Sequence, residues 1–185
     1  MIATFRNSFL YMHFSTLISN RRSCRSFDES ELLPEQVQAI LRAALLAPSS
    51  MNRQSWHFIV VDDKTSLAKL SDSKEHGSHF LKDAALAVVV TCDPVENDCW
   101  VEDGAIAASF MQLQAEELGL GSCWVQIRGR RISDGTLSSD IVKGILDIPE
   151  EQQVLCIVAI GNKLQQLPPH ADEDLPWEKV HVDKF

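Results

Sequence analysis

Basic residues are scarce in this chain. Its 185 residues carry 17 Lys+Arg against 26 Asp+Glu, a formal net charge of -9. A broad cationic face is therefore missing, which argues against non-specific binding of nucleic acid. No Cys-x-x-Cys pair occurs among the five cysteines Cys24, Cys92, Cys99, Cys123 and Cys156. Their odd number, with three inside apolar stretches, reads as reduced, packed thiols of a cytoplasmic protein and not as a disulfide framework. The first dozen residues lack an apolar run long enough for a membrane span and a small-residue cleavage site, so neither an anchor nor a secretory leader is expected. Internal repeats and low-complexity tracts are absent too. No Gly-x-Gly-x-x-Gly follows a strand, which removes a Rossmann dinucleotide domain from consideration.

What remains is an ordinary globular composition, 45% apolar, and a length that suits one domain with a real core. Residues 1–12 read as a flexible extension, with Met12 a possible natural start, and 13–185 as a single domain. Phe14, Leu17 and Ile18 have helical spacing and end at Arg21. Pro34 opens a clearer helix in which Val37, Ile40, Leu41, Ala44 and Leu45 form one face, stopped by Pro48. Strands are expected over 57–62, 85–91, 122–127 and 154–160, of which 85–91 is apolar throughout and reads as central. Further helices are expected over 65–70, 98–118 and 138–148, the last stopped by Pro149. In the longest, Val101, Gly104, Ala105, Ala108, Gln112 and Ala115 make a small-residue side that would let another helix come close. After Gly161 the chain turns polar, then offers Trp177 and a strand-like Val180-His181-Val182.

Against the acidic background, Arg21-Arg22-Ser23-Cys24-Arg25 places three arginines within five residues. Guanidinium forks beside a hydroxyl suit a phosphate, whereas the bland alternative is a solvated patch at a helix end. Ala47-Pro48-Ser49-Ser50-Met51-Asn52-Arg53-Gln54-Ser55-Trp56 adds hydroxyl and amide groups suited to the edge of a heteroaromatic ring, although the same residues make ordinary turns. Phosphate plus polar ring points to a nucleotide-like cofactor. Arg128, Arg130 and Arg131 are preferred as a surface loop over a nicotinamide-dinucleotide phosphate site. His76-x-x-His79 has ligand spacing but no accompanying ensemble, so no metal is expected. Cys24 reads as a packed thiol and not as a nucleophile.

Four segments in this order resemble the nitroreductase family of FMN-dependent oxidoreductases. They are Arg-Arg-Ser-x-Arg-x-Phe, Ala-Pro-Ser-Ser-x-Asn-x-Gln-x-Trp, the Glu102-Asp103 helix ending in Gly-Leu-Gly-Ser-Cys-Trp, and Ile-Gly-Asn-Lys. The resemblance runs from about Phe14 to the C-terminus. It implies an α+β fold with a central, mostly antiparallel sheet flanked by helices. It also implies an obligate homodimer with FMN in a cleft at the subunit interface. The tail with Trp177 and Val180–Val182 is expected, from its own residues, to be an arm exchanged between the subunits. Arg21, Arg22, Ser23 and Arg25 would surround the FMN phosphate and ribityl chain, with Lys163 as a further phosphate contact. Pro48, Ser49, Ser50 and Asn52, with Gln54, would approach the flavin from the partner subunit. Leu120, Gly121 and Ser122 would lie by the isoalloxazine ring, where missing side chains let backbone come close. The chain departs from relatives that carry a basic pair in the C-terminal segment, since Pro168–Asp174 is acidic here.

The implied activity is a ping-pong hydride transfer from NADH or NADPH through flavin N5 to a nitroaromatic, quinone or similar electron-poor acceptor. No catalytic side chain is expected, because the flavin carries the chemistry. The alternatives are a specialised flavoenzyme of the same fold, disfavoured by the short connections that leave no lid, and a non-catalytic FMN carrier or redox sensor.

Overall fold

The apolar run after Asp83 becomes the centre of the sheet. In the computed structural model, which describes residues 12–185, β2 (Leu86–Cys92) is buried along its whole length. It pairs antiparallel with β1 (Trp56–Val61) on one side and with β4 (Gln153–Gly161) on the other. β3 (Gly121–Gln126) runs antiparallel to β4 and completes the order β1-β2-β4-β3. The register sets two ends of the sheet. Trp56, Cys92, Gln153 and Gln126 mark one end, and Val61, Leu86, Gly161 and Gly121 the other. The proposed extension lies outside the described residues except for Met12.

Alternate side chains of the strands feed two cores. Leu86, Val88, Val90, Val158 and Ile160 meet α2 (Pro34–Leu45) and α4 (Trp100–Glu117) on one face. Ala87, Val89, Ile157 and Ala159 meet α3 (Lys64–Ser71) on the other, where Val142 of α5 (Ser138–Leu146) joins the same cluster. The short α1 (Phe14–Asn20) lies against α4. This is the expected α+β architecture, with an entirely antiparallel sheet. Among the described residues no helix is long and apolar enough to cross a membrane.

Local chemistry explains the helix limits. Asp63 caps α3 by accepting from the Ser66 N–H at 2.7 Å, and the Ser66 hydroxyl together with that N–H holds its carboxyl below the usual range. α5 ends before Pro149, because Asp147 adopts the left-handed conformation with φ 52° and lets the Ile148 N–H return to the Lys143 carbonyl.

The small-residue side of α4 admits another helix, α2, as expected, and it also admits the sheet. A Cβ on Gly104 would sit 2.7 Å from Leu155 Cδ2 and 3.5 Å from both Cys92 Sγ and Val90 Cγ1, so this glycine lets the helix settle on the sheet. Ala108 and Ala115 are buried in the same core, where Ile40 and Ala44 of α2 also pack. These positions are thus used within the chain, and the residues left facing outward near mid-helix are Ile106 and Phe110, each 37% exposed.

The C-terminal region folds back before it departs. Lys163 bridges to Phe27, the Leu164 N–H donates to the Ser26 carbonyl at 3.2 Å, and the His170 N–H donates to the Ser19 carbonyl at 2.9 Å. Beyond Ala171 the chain is exposed, including Trp177 at 69%. Val180–Val182 is not a strand here, and the turn before it, Trp177–Lys179, is 3-10 helical. A segment of three residues needs a ladder to join, and these residues have none within one chain.

Gly161 offers a test of this packing. A Cβ there would lie 2.8 Å from the Phe27 ring and 3.2 Å from the Ala85 backbone nitrogen. Phe27 is buried and the Ala85 backbone is fixed by its hydrogen bond to the Ile160 carbonyl. Gly161→Ala is expected to lower stability by about 1–3 kcal/mol in urea unfolding. An unchanged midpoint would show slack that this packing denies.

Candidate functional site

α1 delivers the first arginine at its C-cap, and the chain then runs extended beside the end of β3. The Cys24 N–H donates to the Ser122 carbonyl at 2.9 Å, Ser23 forms a parallel bridge with Ser122, and the Asp28 N–H donates to the Asn162 carbonyl at 3.0 Å. Cys24 and Phe27 turn inward while Arg25 and Ser26 stay exposed. The seat for Cys24 is Gly121. A Cβ at that position would be 2.7 Å from Cys24 Sγ and 3.0 Å from Lys163 Cγ. The vacant side of Gly121, expected to admit the flavin ring, is therefore filled by the first motif itself. Leu120 is 1% exposed within the helix-side core, and Ser122 is buried. The start of β3, at Gly121 and Ser122, holds the arginine segment in place.

Arg21, Ser23 and Arg25 all act on the buried Cys123 thiol. Burial pushes that thiol up, opposed by the Arg25 guanidinium, the Ser23 hydroxyl and Arg21, with Cys24 adding to the rise. Among the described residues neither Arg21 nor Arg25 has a carboxylate partner within 4.0 Å. Arg25 borders an open cleft of about 790 Å³ that Ser26, Phe27, Asp28, Glu29, Lys64, Lys82, Asp83 and Leu164 also line. Two uncompensated guanidinium groups and a hydroxyl at one strand end fit a phosphate. The other two cations of this set are engaged. Arg22 donates to the Pro168 carbonyl, and Lys163 Nζ donates to both oxygens of Glu116 at 2.8 Å. As a direct phosphate ligand, Lys163 would have to share or leave that pair.

The second motif lies elsewhere. Met51, Asn52 and Gln54 have φ of 51°, 55° and 51°, a left-handed conformation that non-glycine residues hold only when their surroundings insist. Asp103 supplies the insistence. Its carboxylate, 3% exposed, accepts the Ser50 N–H at 3.0 Å and Asn97 Nδ2 at 2.6 Å. The buried Asn97 also donates to Ser55 Oγ at 3.2 Å and accepts the Cys99 N–H at 3.0 Å. Ser49 Oγ accepts the Gln54 N–H at 3.1 Å, and Arg53 donates to the Glu96 carbonyl at 3.0 Å. Asn52 and Gln54 stay exposed on this rigid loop, as does Pro48. Burial and the Asp103 carboxylate push the nearby Cys92 thiol up to about 12, so it stays protonated.

The two motifs are not brought together within one chain. The loop precedes β1 at one edge and one end of the sheet, whereas the arginine segment lies along β3 at the opposite edge and the other end. Their anchors measure the gap. Asp103 and Glu116 stand thirteen residues apart on the same helix α4, roughly 20 Å at 1.5 Å per residue. Sequence reading missed both as site residues, although a signal existed. They fall on the helical stripe of Gly104, Ala107, Ala108, Met111 and Ala115 that is buried, where a carboxylate needs a partner.

The second basic group is a surface loop. Arg128 stacks over Trp100 with 5.4 Å to the ring centre, and Arg131 donates to the Gly135 carbonyl at 2.6 Å. His79 lies 3.7 Å from Asp72, and both are exposed.

Comparison with known proteins gives a consistent result. The Nitroreductase family model matches residues 18–75 and 66–162. A protein of Archaeoglobus fulgidus with the provisional name NADH dehydrogenase/NAD(P)H nitroreductase is 34% identical over 174 residues, covering 91% of this chain and 97% of that protein. One with the same name from Methanothermobacter thermautotrophicus is 30% identical over 174 residues, covering 91% and 85%. Among solved structures, an FMN-dependent nitroreductase from Clostridium difficile R20291 aligns with a TM-score of 0.90 at 44% identity, over 91% of this chain and 98% of that one.

The strained loop depends on Asp103. Asp103→Ala leaves the Ser50 N–H and the Asn97 amide without their acceptor, which costs about 1–3 kcal/mol for each buried group left unpaired. Hydrogen exchange over residues 48–55 is expected to accelerate while the central strand β2 stays protected. Unchanged protection of the loop would show that Asp103 does not hold it.

Proposed function

The chain belongs to the nitroreductase family, and from that footing we propose that it is an FMN-dependent NAD(P)H oxidoreductase whose cofactor lies between two copies of the chain. The observation that carries the reading is the pair of half-sites held apart on one chain. One offers unpaired guanidinium groups and a hydroxyl, and the other a rigid polar loop. A two-fold axis across the outward face of α4, near Ile106 and Phe110, inverts the helix direction. It sets the Asp103 end of one copy beside the Glu116 end of the other, and does so twice. The midpoint between the two carboxylates falls at Ser109–Phe110, so the outward apolar residues sit where such an axis passes.

In this arrangement Arg21, Ser23 and Arg25 hold the phosphate and the near end of the ribityl chain. Pro48, Ser49, Ser50 and Asn52 of the partner subunit, with Gln54 beside them, present amide and hydroxyl groups to the ring. Their fixed backbone keeps those groups in position without reorganisation. Arg22 acts indirectly by pinning the C-terminal segment, and the backbone of Gly121 and Ser122 holds the arginines at the edge of β3. Bound there, FMN would supply two-electron chemistry between a reduced nicotinamide and an electron-poor nitroaromatic or quinone-like acceptor. One open cleft serves both reactants in turn, which makes the kinetics ping-pong. No side chain is required as acid or base, because water or the reactant supplies the proton. The exposed tail from Pro168, with Trp177 and Val180–Val182, packs on the partner and adds to its sheet edge.

The test begins with colour. The purified protein is expected to bind FMN, bleach anaerobically with NADH or NADPH, and regain its colour with a nitroaromatic or quinone. A yellow protein that neither donor bleaches would be a flavin carrier. Arg25→Ala removes a charge-assisted hydrogen bond and is expected to weaken FMN binding about tenfold or more. Retention of flavin with unchanged affinity in that variant would displace Arg25 from the phosphate site.

A further inference from the structure

Glu116 carries the wrong charge for its surroundings. It lies in the last turn of α4, which contains no basic residue, and its side chain is 6% exposed. A carboxylate at a helix C-terminus opposes the helix dipole, and burying an ion pair is rarely favoured over apolar packing. Its only ionic partner among the described residues is Lys163, whose side chain is 14% exposed. The stem of Lys163 passes over Gly121 beside Cys24, at the strand end where Ser23 pairs with Ser122. A void of about 10 Å³, lined by Asn20, Arg22, Cys24, Lys163, Gln165 and Leu167, lies between Lys163 and the arginine segment.

We infer that Glu116 is an affinity-setting residue, an internal competitor that keeps the Lys163 ammonium from the cofactor phosphate. This rests on the reading of the arginine segment as the FMN phosphate site. Two of the three ammonium donors have an acceptor in the Glu116 carboxylate, so the pair presents nearly no net charge to an incoming dianion. Without Glu116 the lysine becomes a nearly buried cation with no counter-charge, and a phosphate is the anion that relieves it. The pair thus limits how strongly the site prefers a phosphorylated flavin over the same ring without phosphate. A merely structural pair predicts the reverse, since disturbing it would loosen the site and weaken every ligand.

The experiment compares FMN and riboflavin by fluorescence titration of the full-length apoprotein at low and high KCl. Glu116→Gln is expected to raise the ratio of FMN to riboflavin affinity about tenfold. FMN binding should also become steeper in salt, while riboflavin binding stays as in the wild type. The apoprotein should melt earlier, and the rise in melting temperature on adding FMN should be larger. An unchanged or smaller FMN-to-riboflavin ratio in Glu116→Gln overturns the inference. If that variant does not fold, Glu116→Gln with Lys163→Gln removes both charges and leaves no unpaired ion. Its ratio is expected to match the wild type, and a tenfold fall there would make Lys163 a direct phosphate ligand and overturn the inference as well. Wild-type protein that binds neither flavin would instead remove the FMN reading beneath it.

Discussion

Two carboxylates buried on one helix organise this molecule. Asp103 and Glu116 sit near opposite ends of α4, and each is the fixed point of a different polar segment. A buried carboxylate must be hydrogen-bonded or paired. The loop at 49–54 and the Lys163 segment are therefore not free to settle elsewhere. The helix that separates the anchors is itself clamped to the sheet through Gly104 and the alanines that follow it. The distance between the half-sites is in this way a property of the core, set by packing and not by loop preference.

That distance has a functional meaning. An antiparallel sheet of four strands can hold ligand groups at both ends but cannot bring its diagonal corners together. The polar loop is strained, with three residues in the left-handed region, and the arginines carry charge that the chain does not neutralise. Both are costs a lone chain bears without return. In the proposed dimer a second copy would supply the complementary corner, which would join cofactor binding to assembly.

Much of the fold was legible in the sequence. Every expected strand up to Gly161 and every helix is present within a few residues, because apolar periodicity, Pro34 and the turn-forming residues act locally. The polar and basic motifs were legible as residue types, and the order of the segments pointed to the family. What escaped was decided by contacts between distant residues. The space on the Cβ side of Gly121 belongs to Cys24, almost a hundred positions earlier. The pairing of Lys163 with Glu116 likewise joins residues far apart in the chain. The small residues of α4 announced an approaching helix, which α2 is, but not that Gly104 faces the sheet. The strand-like end, Val180–Val182, has the right composition but no ladder within its own chain.

In the proposed dimer each cofactor site is built from two chains. Complementation tests it most directly. One chain carries Arg21→Ala with Arg25→Ala, and a differently tagged chain carries Asp103→Ala. Each variant alone, as a homodimer, lacks one half of both sites. Their heterodimer holds one site with both halves intact and one with neither. The prediction is that both homodimers are colourless and that the purified heterodimer binds one FMN per two chains. A heterodimer that binds no FMN, or a wild-type monomer that holds FMN tightly, would contradict it.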